Sequence, residues 1–336
     1  MKKAWIIVAI VLTALGAAIF TGALFAARFD FSKFSWGDRE MTEKEYQVTQ
    51  DFRSIDIRTD VTDIEFKVSP DDIFKAVAKE PEKMTHKVEV VDGTLRIESV
   101  DERKWFEHLW GWKAPSMTIY LPAKDPGYEM LRIDNNTGDV RIPKDFRFIG
   151  VEAETTTGDV TYSGQTLGVL KIKTSTGDIR ANDSLAYAMD LSVSTGKITL
   201  RNGAVPGNLL SSVPAVSSGE VTIHVGTGSV EIEEFTCECF SSTGSTGSIR
   251  LKNFKAHYDV SIQRNTGDIH LENVDSLQGS ITLTTSTGDI RGTLSSGKIF
   301  TAKSSTGHVR VPDSTAGGKC EITTSTGDIA IAIHKE

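Results

Sequence analysis

The chain has 336 residues, with 37 basic and 45 acidic side chains and a formal net charge of −8. Residues 36–336 alone carry −11, because the first 35 residues hold four basic side chains and one acidic side chain. Such an acidic surface repels nucleic-acid phosphates and anionic lipid headgroups, so we expect no nucleic-acid partner. Three cysteines in a chain of this length predict no disulfide framework.

The first segment, residues 1–27, is predicted to be an N-terminal transmembrane anchor. Lys2 and Lys3 precede an uncharged and largely apolar run over residues 4–27. About 20 apolar residues span a bilayer, whereas the apolar part of a cleavable signal peptide is about 7–15 residues long. Small residues at the end of the run leave cleavage open as the alternative. The two lysines favour a cytoplasmic N-terminus on a single-pass cell-membrane anchor, with the rest of the protein outside.

Residues 28–45 are predicted to be a juxtamembrane linker, and residues 46–125 an N-terminal cap with the first coils. Apolar and polar residues alternate at 52–57, 87–90, 94–97 and 117–121, which is the period of a β-strand. Asp92-Gly93 between two of these runs predicts a hairpin turn. The run Thr-Asp-Ile-Glu-Phe at 62–66 is similar to a corner of the later repeat without its glycine.

An aromatic cluster interrupts these strands. Three of the five tryptophans of the chain fall within eight residues. Because exposed apolar side chains mark contact surfaces, the cluster is a candidate interaction loop. The alternative is a cap that packs its rings on the end of the coil stack. The candidate residues are Trp105, Phe106, Trp110 and Trp112.

From residue 126 to residue 336 the chain repeats Thr-Gly-Asp-Ile, or a close variant, about once every 20 residues. The glycine follows Thr or Ser, and the second residue after it is always Ile or Val. A fixed period of this size, with strand-like alternation between the motifs, predicts a β-solenoid in which each repeat is one coil. The motif glycines are at positions 138, 158, 177, 196, 219, 228, 247, 267, 288, 307 and 327.

Each motif residue has a predicted role in the corner. Glycine supplies a positive φ, and the β-branched residue after it starts a strand and points into the coil. Asp stands between them in six of the eleven motifs, and we interpret it as a turn former and a surface charge. A calcium-binding roll is not expected, because that class repeats every nine residues with paired glycines.

Two further features of the repeat region lead to predictions. Gly297 lies about half a period after Gly288, which predicts a second glycine corner and two or three strands per coil. Residues 201–217 contain two prolines and two glycines and disturb the motif spacing. We therefore predict that they form a looped-out insertion.

The sequence contains no recognisable catalytic, cofactor or metal site, so we predict a protein that is not an enzyme. The seven histidines belong to no known catalytic motif. Cys237 and Cys239 are expected on one face of one strand, at a spacing unsuited to a disulfide. They have no matching Cys or His pair for zinc.

The anchor, the strand that ends in Ile119-Tyr120-Leu121-Pro122 and the serial Thr-Gly-Asp-Ile corners resemble the bacterial putative-adhesin β-helix family. This is a domain-of-unknown-function family that includes LiaG-like proteins of envelope-stress operons. The resemblance covers residues 46–336. It implies an all-β fold, a right-handed parallel β-solenoid with about 20 residues per coil behind one transmembrane helix. It also implies a role at the cell envelope, and it supplies no catalytic residues.

Three functional hypotheses follow. The first is a membrane-anchored, non-enzymatic protein that binds an envelope protein or glycan, linked to envelope stress or adhesion. The second is a polysaccharide-active β-helix enzyme whose outward Asp residues line a groove, since that chemistry uses paired carboxylates. The third is a self-assembling structural rod. The regular placement of the Asp residues favours the first hypothesis over the second.

Overall fold

The computed structural model describes residues 41–103, 114–123, 127–205 and 219–334, together with Thr13, Gly16 and Thr21. The chain divides into two compact units. One consists of Met1–Met41 and Arg103–Lys113. The other consists of Thr42–Glu102 and Ala114–Glu336 and contains most of the described residues. Thr13, Gly16 and Thr21 are helical, and the remainder of the predicted anchor lies outside the described residues. Over the described ranges, no helix has the length and apolar character needed to cross a membrane.

The described chain from residue 41 onward is all β, as predicted, and its strands form one mostly parallel sheet. The strands are β1 (Met41–Gln47), β2 (Ser54–Val61), β3 (Asp63–Val68), β4 (Lys75–Pro81), β5 (Met84–Val91), β6 (Thr94–Asp101), β7 (Ser116–Leu121), β8 (Tyr128–Thr137), β9 (Val140–Ile142), β10 (Arg147–Thr157), β11 (Val160–Tyr162), β12 (Gln165–Thr176), β13 (Ile179–Asn182), β14 (Leu185–Thr195), β15 (Ile198–Val205), β16 (Glu220–Thr227), β17 (Val230–Cys237), β18 (Cys239–Thr246), β19 (Ile249–Ala256), β20 (Val260–Thr266), β21 (Ile269–Ser276), β22 (Ile281–Thr287), β23 (Ile290–Leu294), β24 (Ile299–Ser304), β25 (Val309–Arg310), β26 (Lys319–Thr326) and β27 (Ile329–Ile333).

Each repeat contributes one strand to each of two parallel ladders, and we call the two strands of one repeat a rung. In the first ladder, the even-numbered strands from β8 to β22 pair in chain order. In the second ladder, the odd-numbered strands from β9 to β23 do the same. The period of about 20 residues is therefore the length of one rung.

The core lies between the ladders and is built from every second residue. Ile172, Leu191 and Ile223 from successive rungs are fully buried. Phe235 stacks on Phe254 of the next rung at 6.5 Å between ring centroids. Burial of each such side chain stabilises the fold by about 1.5–3 kcal/mol, and no rung covers its own core without its neighbours.

The first corner, between the two strands of a rung, is made by the motif glycines. Gly158 and Gly177 have φ of 146° and 141°, outside the range that residues with a Cβ adopt. A Cβ on Gly177 would also collide with the carbonyl oxygen of Gly158 in the preceding rung. The prediction of a positive φ at the corner is confirmed for these glycines.

Gly297 lies in the turn between β23 and β24, as predicted, but it is not among the residues with positive φ. A different turn, which we call the second corner, lies within or directly after the odd-numbered strands β13 to β21 and uses non-glycine residues in the left-handed region. Short polar side chains tolerate that region better than other side chains do. The residues are Asp183, Asn202, Glu234, Asn253 and Asn273, with φ of 51°, 51°, 52°, 47° and 55°.

The predicted motif at Gly219 is not a corner of the first ladder. Thr195 in β14 pairs with Thr227 in β16, so the corner after Gly196 is Gly228. Gly219 instead precedes β16, and its carbonyl accepts the N–H of Glu238 at 2.9 Å. The rung between the two corners is long because it includes residues 206–218, which lie outside the described residues.

The N-terminal rungs do not stack in chain order. β2 lies between β6 and β8, and β3 lies between β7 and β9, all in parallel. β5 and β4 then pair antiparallel with β6 and β7. Asp92 and Gly93 form the predicted hairpin turn between β5 and β6, with φ of 50° and 72°.

The C-terminal rungs are also out of order. β26 lies between β22 and β24, and β27 lies between β23 and β25. Gly307 therefore does not lie in the rung that precedes Gly327 in the stack. Gly307 belongs to the outermost rung, and it is not among the residues with positive φ.

Candidate functional site

The predicted interaction residues Trp105, Phe106, Trp110 and Trp112 lie outside the described residues. Their segment leaves after β6 and returns before β7. Asp63 at the first corner donates its N–H to the carbonyl of Pro115 at 3.0 Å. Pro115 therefore lies beside the first corner at the N-terminal end of the ladders.

The corner carboxylates form two runs of hydrogen bonds between rungs, separated by the rungs that carry Lys197, Ser229 and Ser248 at this position. Asp139 Oδ1 accepts the N–H of Asp159 at 2.9 Å, and Asp159 Oδ1 accepts the N–H of Asp178 at 2.8 Å. At the other end, Asp289 Oδ1 accepts the N–H of Asp328 at 2.7 Å. Each Asp thus holds the corner amide of the next rung, which explains the preference for Asp in the motif.

Arg180, Arg291 and His308 lie against carboxylates of this chain. Arg180 contacts Asp159 at 2.6 Å and Asp178 at 2.7 Å. Partial burial opposes ionisation of Asp159, but the bonds from Arg180 and from the Asp178 amide hold its pKa below the ordinary value. The His308 amide lowers the pKa of Asp328 in the same way. These carboxylates remain ionised near neutral pH and fit no general-acid role.

The described part of the chain places its most buried ionisable cluster at the N-terminal end. Glu80 and His86 have side chains 0% and 1% exposed, and His86 Nδ1 lies 2.7 Å from Glu80 Oε2. Tyr46 donates its hydroxyl to Glu80 Oε1 at 2.9 Å, and Lys44 Nζ lies at the same distance from that oxygen. Burial and the bond to Glu80 raise the pKa of Tyr46 to about 12.

Thr62 completes this cluster, because its Oγ1 lies 3.1 Å from His86 Nε2. A hydroxyl, an imidazole and a carboxylate in this order resemble a nucleophilic triad. However, Thr62 is 1% exposed and His86 is 5% exposed, so substrate has no access to the hydroxyl. The cluster joins β1, β4 and β5 to the first corner. Sequence reasoning missed it, since Glu80 and His86 belong to no motif.

The cysteines are free and are separated by a corner. Cys237 ends β17 and Cys239 begins β18, so the expectation that they share one face of one strand is wrong. All three cysteines are free thiols. Burial raises the pKa of the Cys237 thiol, and burial raises the pKa of Cys320 to about 12. Neither thiol is therefore ionised enough at neutral pH to act as a nucleophile.

The described ranges contain no group of three or more His, Cys, Asp or Glu side chains placed to hold a metal ion. An open depression of about 330 Å³ lies on the outer side of the N-terminal rungs. Asp60, Glu98 and Asp134 line it together with Arg58. Asn136 Nδ2 donates to Asp60 Oδ1 at 2.8 Å, so one of these carboxylates is already committed to an internal bond.

The outward face of the first ladder carries rows of paired charges in the N-terminal rungs. Glu152 contacts Arg132 of one neighbouring rung at 2.6 Å and Lys171 of the other at 2.8 Å. Lys173 contacts Glu154 at 2.5 Å. Register places these side chains in straight rows, and such exposed pairs contribute little stability each.

The family of the chain is now clear. A family model described as Toastrack DUF4097 matches residues 52–212 and 208–336. The chain therefore belongs to the DUF4097 family, which confirms the resemblance drawn from the corner motifs. A search of curated proteins found no match.

Several solved structures are similar to this chain. One is a putative adhesin from Bacteroides fragilis NCTC 9343, with 17% identity over 88% of this chain and 98% of that chain and a TM-score of 0.39. Another is a putative lipid binding protein from Parabacteroides distasonis ATCC 8503, with 12% identity, the same coverage of both chains and a TM-score of 0.43. At such identity, the binding properties in these names are not transferred to this chain.

Proposed function

We propose that this protein is a membrane-anchored, extracytoplasmic component of the cell envelope that binds an envelope protein or glycan and catalyses no reaction. Residues 4–27 form a single transmembrane helix with the N-terminus in the cytoplasm. The repeats form a right-handed parallel β-solenoid outside the membrane. Binding serves an accessory role in envelope-stress response or adhesion.

One observation carries the non-enzymatic part of this proposal, namely the engagement of the corner carboxylates. A glycan-cleaving site needs one carboxyl group as an acid and a second one as a base or nucleophile, each free to reach substrate. Asp139, Asp159 and Asp178 instead each give one oxygen to a corner amide. Their role in holding the rungs together accounts for their regular spacing without a reaction.

The N-terminal sequence supports the location. The uncharged run over residues 4–27 is long enough for one span. The net charge of −11 on residues 36–336 keeps the exported part away from anionic lipid surfaces. A soluble binding domain held near the membrane by one helix fits both features.

Protease protection tests the location. The full-length protein with a tag at each end is expressed, and intact cells are treated with protease after permeabilisation of any outer barrier. We expect loss of the C-terminal tag, protection of the N-terminal tag and retention of both tags in the membrane fraction before treatment. A soluble product that lacks the N-terminal tag would show that the N-terminal segment is cleaved, and it would contradict the proposed transmembrane anchor.

Capture from envelope extract tests the binding role. The full-length protein in detergent is compared with a variant that carries Trp105→Ala, Trp110→Ala and Trp112→Ala. A partner that is lost in the variant assigns binding to the predicted interaction loop. Glycan turnover by the wild-type protein that disappears in an Asp159→Asn variant would contradict the non-enzymatic proposal.

A further inference from the structure

The outward face of the first ladder changes its chemistry after β14. In the N-terminal rungs its two central rows contain charged side chains, including Arg132, Glu152, Lys171 and Asp190. In the next four rungs the same two rows contain no Asp, Glu, Lys or Arg. We call these eight side chains the hydroxyl panel: Thr222, Ser241, Ser261 and Thr282 in one row, and His224, Thr243, Gln263 and Thr284 in the other.

The panel has sharp limits along the stack. Asp190 precedes Thr222 in one row. On the C-terminal side, Glu321 follows Thr282 and Lys303 lies beyond Thr323. In the other row the uncharged run also includes Ser192 before His224 and Thr323 after Thr284. The area in which both rows are uncharged is therefore limited to four rungs. Its width is about 14 Å at about 4.8 Å per rung.

The panel leaves polar groups unused, in contrast to the charged rows. Within the described chain, the hydroxyls of Ser241, Ser261 and Thr282 form no hydrogen bond. At the panel edge, His224 Nδ1 lies 3.0 Å from Thr243 Oγ1. Glu152, by comparison, uses both oxygens on neighbouring rungs. Hydroxyls that are not engaged internally remain available to a ligand as both donors and acceptors.

The panel is flat and preorganised. Ile223, Ser242, Ile262 and Leu283 alternate with the panel residues, and each of them is at most 1% exposed. Strand geometry repeats the outward side chains about every 7 Å along a strand and about every 4.8 Å across rungs. A rigid surface loses little conformational freedom when it binds a ligand.

The uncharged panel and its unengaged hydroxyls indicate one class of ligand. We propose that the hydroxyl panel binds an extended neutral polysaccharide, which deepens the proposed function by naming its ligand class and surface. Such a polymer repeats its hydroxyls once per sugar ring, a distance similar to the rung spacing. A charged ligand would find no opposite charge on the panel. A single hydroxyl contact contributes only about 0.5–1.5 kcal/mol, so binding requires several rungs together and favours polymer over single sugars.

Co-sedimentation with insoluble chitin and cellulose tests the inference, using the full-length protein in detergent. The variant carries Ser241→Glu and Thr284→Glu, which place charge on the panel. The matched control carries Thr156→Glu and Ser175→Glu, beside the charged rows of the same face and away from the panel. We expect the panel variant to bind at least about tenfold more weakly, with the control unchanged. Thermal unfolding of both variants confirms that they are folded.

The salt dependence gives a second readout. Binding of a neutral polymer should be unchanged at about 0.5 M salt, because no counter-ions are released and no ion pairs are screened. Binding that disappears with salt, equal binding by both variants, or no binding of either polysaccharide by the wild-type protein would each overturn the inference. The protease-protection experiment is independent of this one. If the panel does not bind polysaccharide, the proposed envelope location still stands. If the anchor proves to be cleaved, the co-sedimentation result can still be interpreted.

Discussion

The first and second corners of a rung turn the chain by different means. At the first corner, φ of the glycines ranges from 122° at Gly247 to 151° at Gly288. At the second corner, φ ranges from 47° at Asn253 to 55° at Asn273, and the residues are not glycine. The first conformation is nearly exclusive to glycine, whereas the second is the ordinary left-handed region that Asn and Asp visit.

The stacking contacts explain why the corners differ. At the first corner, a Cβ would point at the glycine carbonyl of the preceding rung. At the N-terminal end of that ladder, Thr62 takes the place of glycine, and its side chain contacts His86 instead. At the second corner, Asn273 Nδ2 donates to Asn253 Oδ1 at 2.8 Å, so the side chains themselves join the rungs. Backbone packing therefore excludes a side chain at the first corner, whereas the second corner has room for side chains that bond between rungs.

The largest expected effect comes from adding a methyl group at the first corner. Gly177→Ala combines an unfavourable φ with a collision against the Gly158 carbonyl. We expect a loss of about 3–5 kcal/mol in the free energy of unfolding, measured by urea denaturation. Gly297→Ala is the control, because a Cβ there would lie 3.3 Å from Ser314 Oγ and needs no unusual φ. Equal losses in both variants would contradict the account of the first corner.

The sequence predicts the first corner well because only glycine fits it. The second corner could not be found in the same way, since Asp183, Asn202 and Glu234 share a conformation without sharing a residue type. The stacking order at the C-terminal end was also hidden. A spacing of about 20 residues encodes the length of a rung, not its neighbour, so Gly307 and Gly327 give the same pattern in either order.

The candidate sites also divide into those that the sequence shows and those that only strand pairing creates. A cluster of Trp is visible in any sequence, although residues 104–113 lie outside the described residues. Glu80 and His86 come together through strand pairing of the cap and carry no local signal. The hydroxyl panel depends on register across four rungs, and Ser or Thr in a single strand is too common to indicate it. Periodic features were predictable, whereas features that arise from pairing were not.

A second prediction concerns the residue three places before the first corner. In several rungs this residue is an inward Thr, and Thr174, Thr285 and Thr324 each donate to a glycine carbonyl of the preceding rung. In β20 the position is Arg264, which is 2% exposed and donates to Ser242 Oγ and the Gln263 carbonyl. Burial lowers its pKa to about 10, so it remains a buried cation at neutral pH.

Arg264→Met should therefore stabilise the fold by about 1–2 kcal/mol, because the desolvation cost of the cation disappears while volume is kept. Arg132→Met, at an exposed pair, is the control and should change stability by less than about 0.5 kcal/mol. Urea denaturation measures both variants. A loss of stability in Arg264→Met would show that the two hydrogen bonds of Arg264 outweigh the cost of burying its charge.

A third prediction concerns the carboxylate of the first corner. Asp159→Ala removes the acceptor of the Asp178 amide and the partner of Arg180. We expect a loss of about 1 kcal/mol at pH 7, while Asp159→Asn, which keeps an acceptor oxygen, loses less. The folded pKa of Asp159 is lowered. The contribution of the carboxylate is therefore present above the unfolded pKa and is lost as pH falls through the folded pKa.

The wild-type protein should thus lose more stability than Asp159→Asn between pH 7 and about pH 2. Urea denaturation at several pH values measures this difference. A parallel pH dependence in the two proteins would show that Asp159 gives no charge-dependent stability, and that only its acceptor oxygen matters to the corner.

The smallest expected effect is at the second corner. Asn253→Gly removes a Cβ at a φ of 47°, which glycine adopts freely. It also removes the exposed bonds to Glu234 at 2.6 Å and from Asn273 at 2.8 Å. These terms oppose each other, so we expect a change within about 0.5 kcal/mol. Asn253→Ala loses the same bonds but keeps a Cβ in the left-handed region, and should cost about 1–2 kcal/mol.

The relative stability of Asn253→Gly and Asn253→Ala shows whether backbone conformation or side-chain bonding limits the second corner. If glycine is tolerated better than alanine, the backbone conformation limits the second corner, as it does the first, and the side-chain bonds are secondary. If both variants lose the same stability, the Asn ladder itself holds the rungs at this corner. In either case the loss should be smaller than for Gly177→Ala, where the added Cβ collides with the carbonyl oxygen of Gly158.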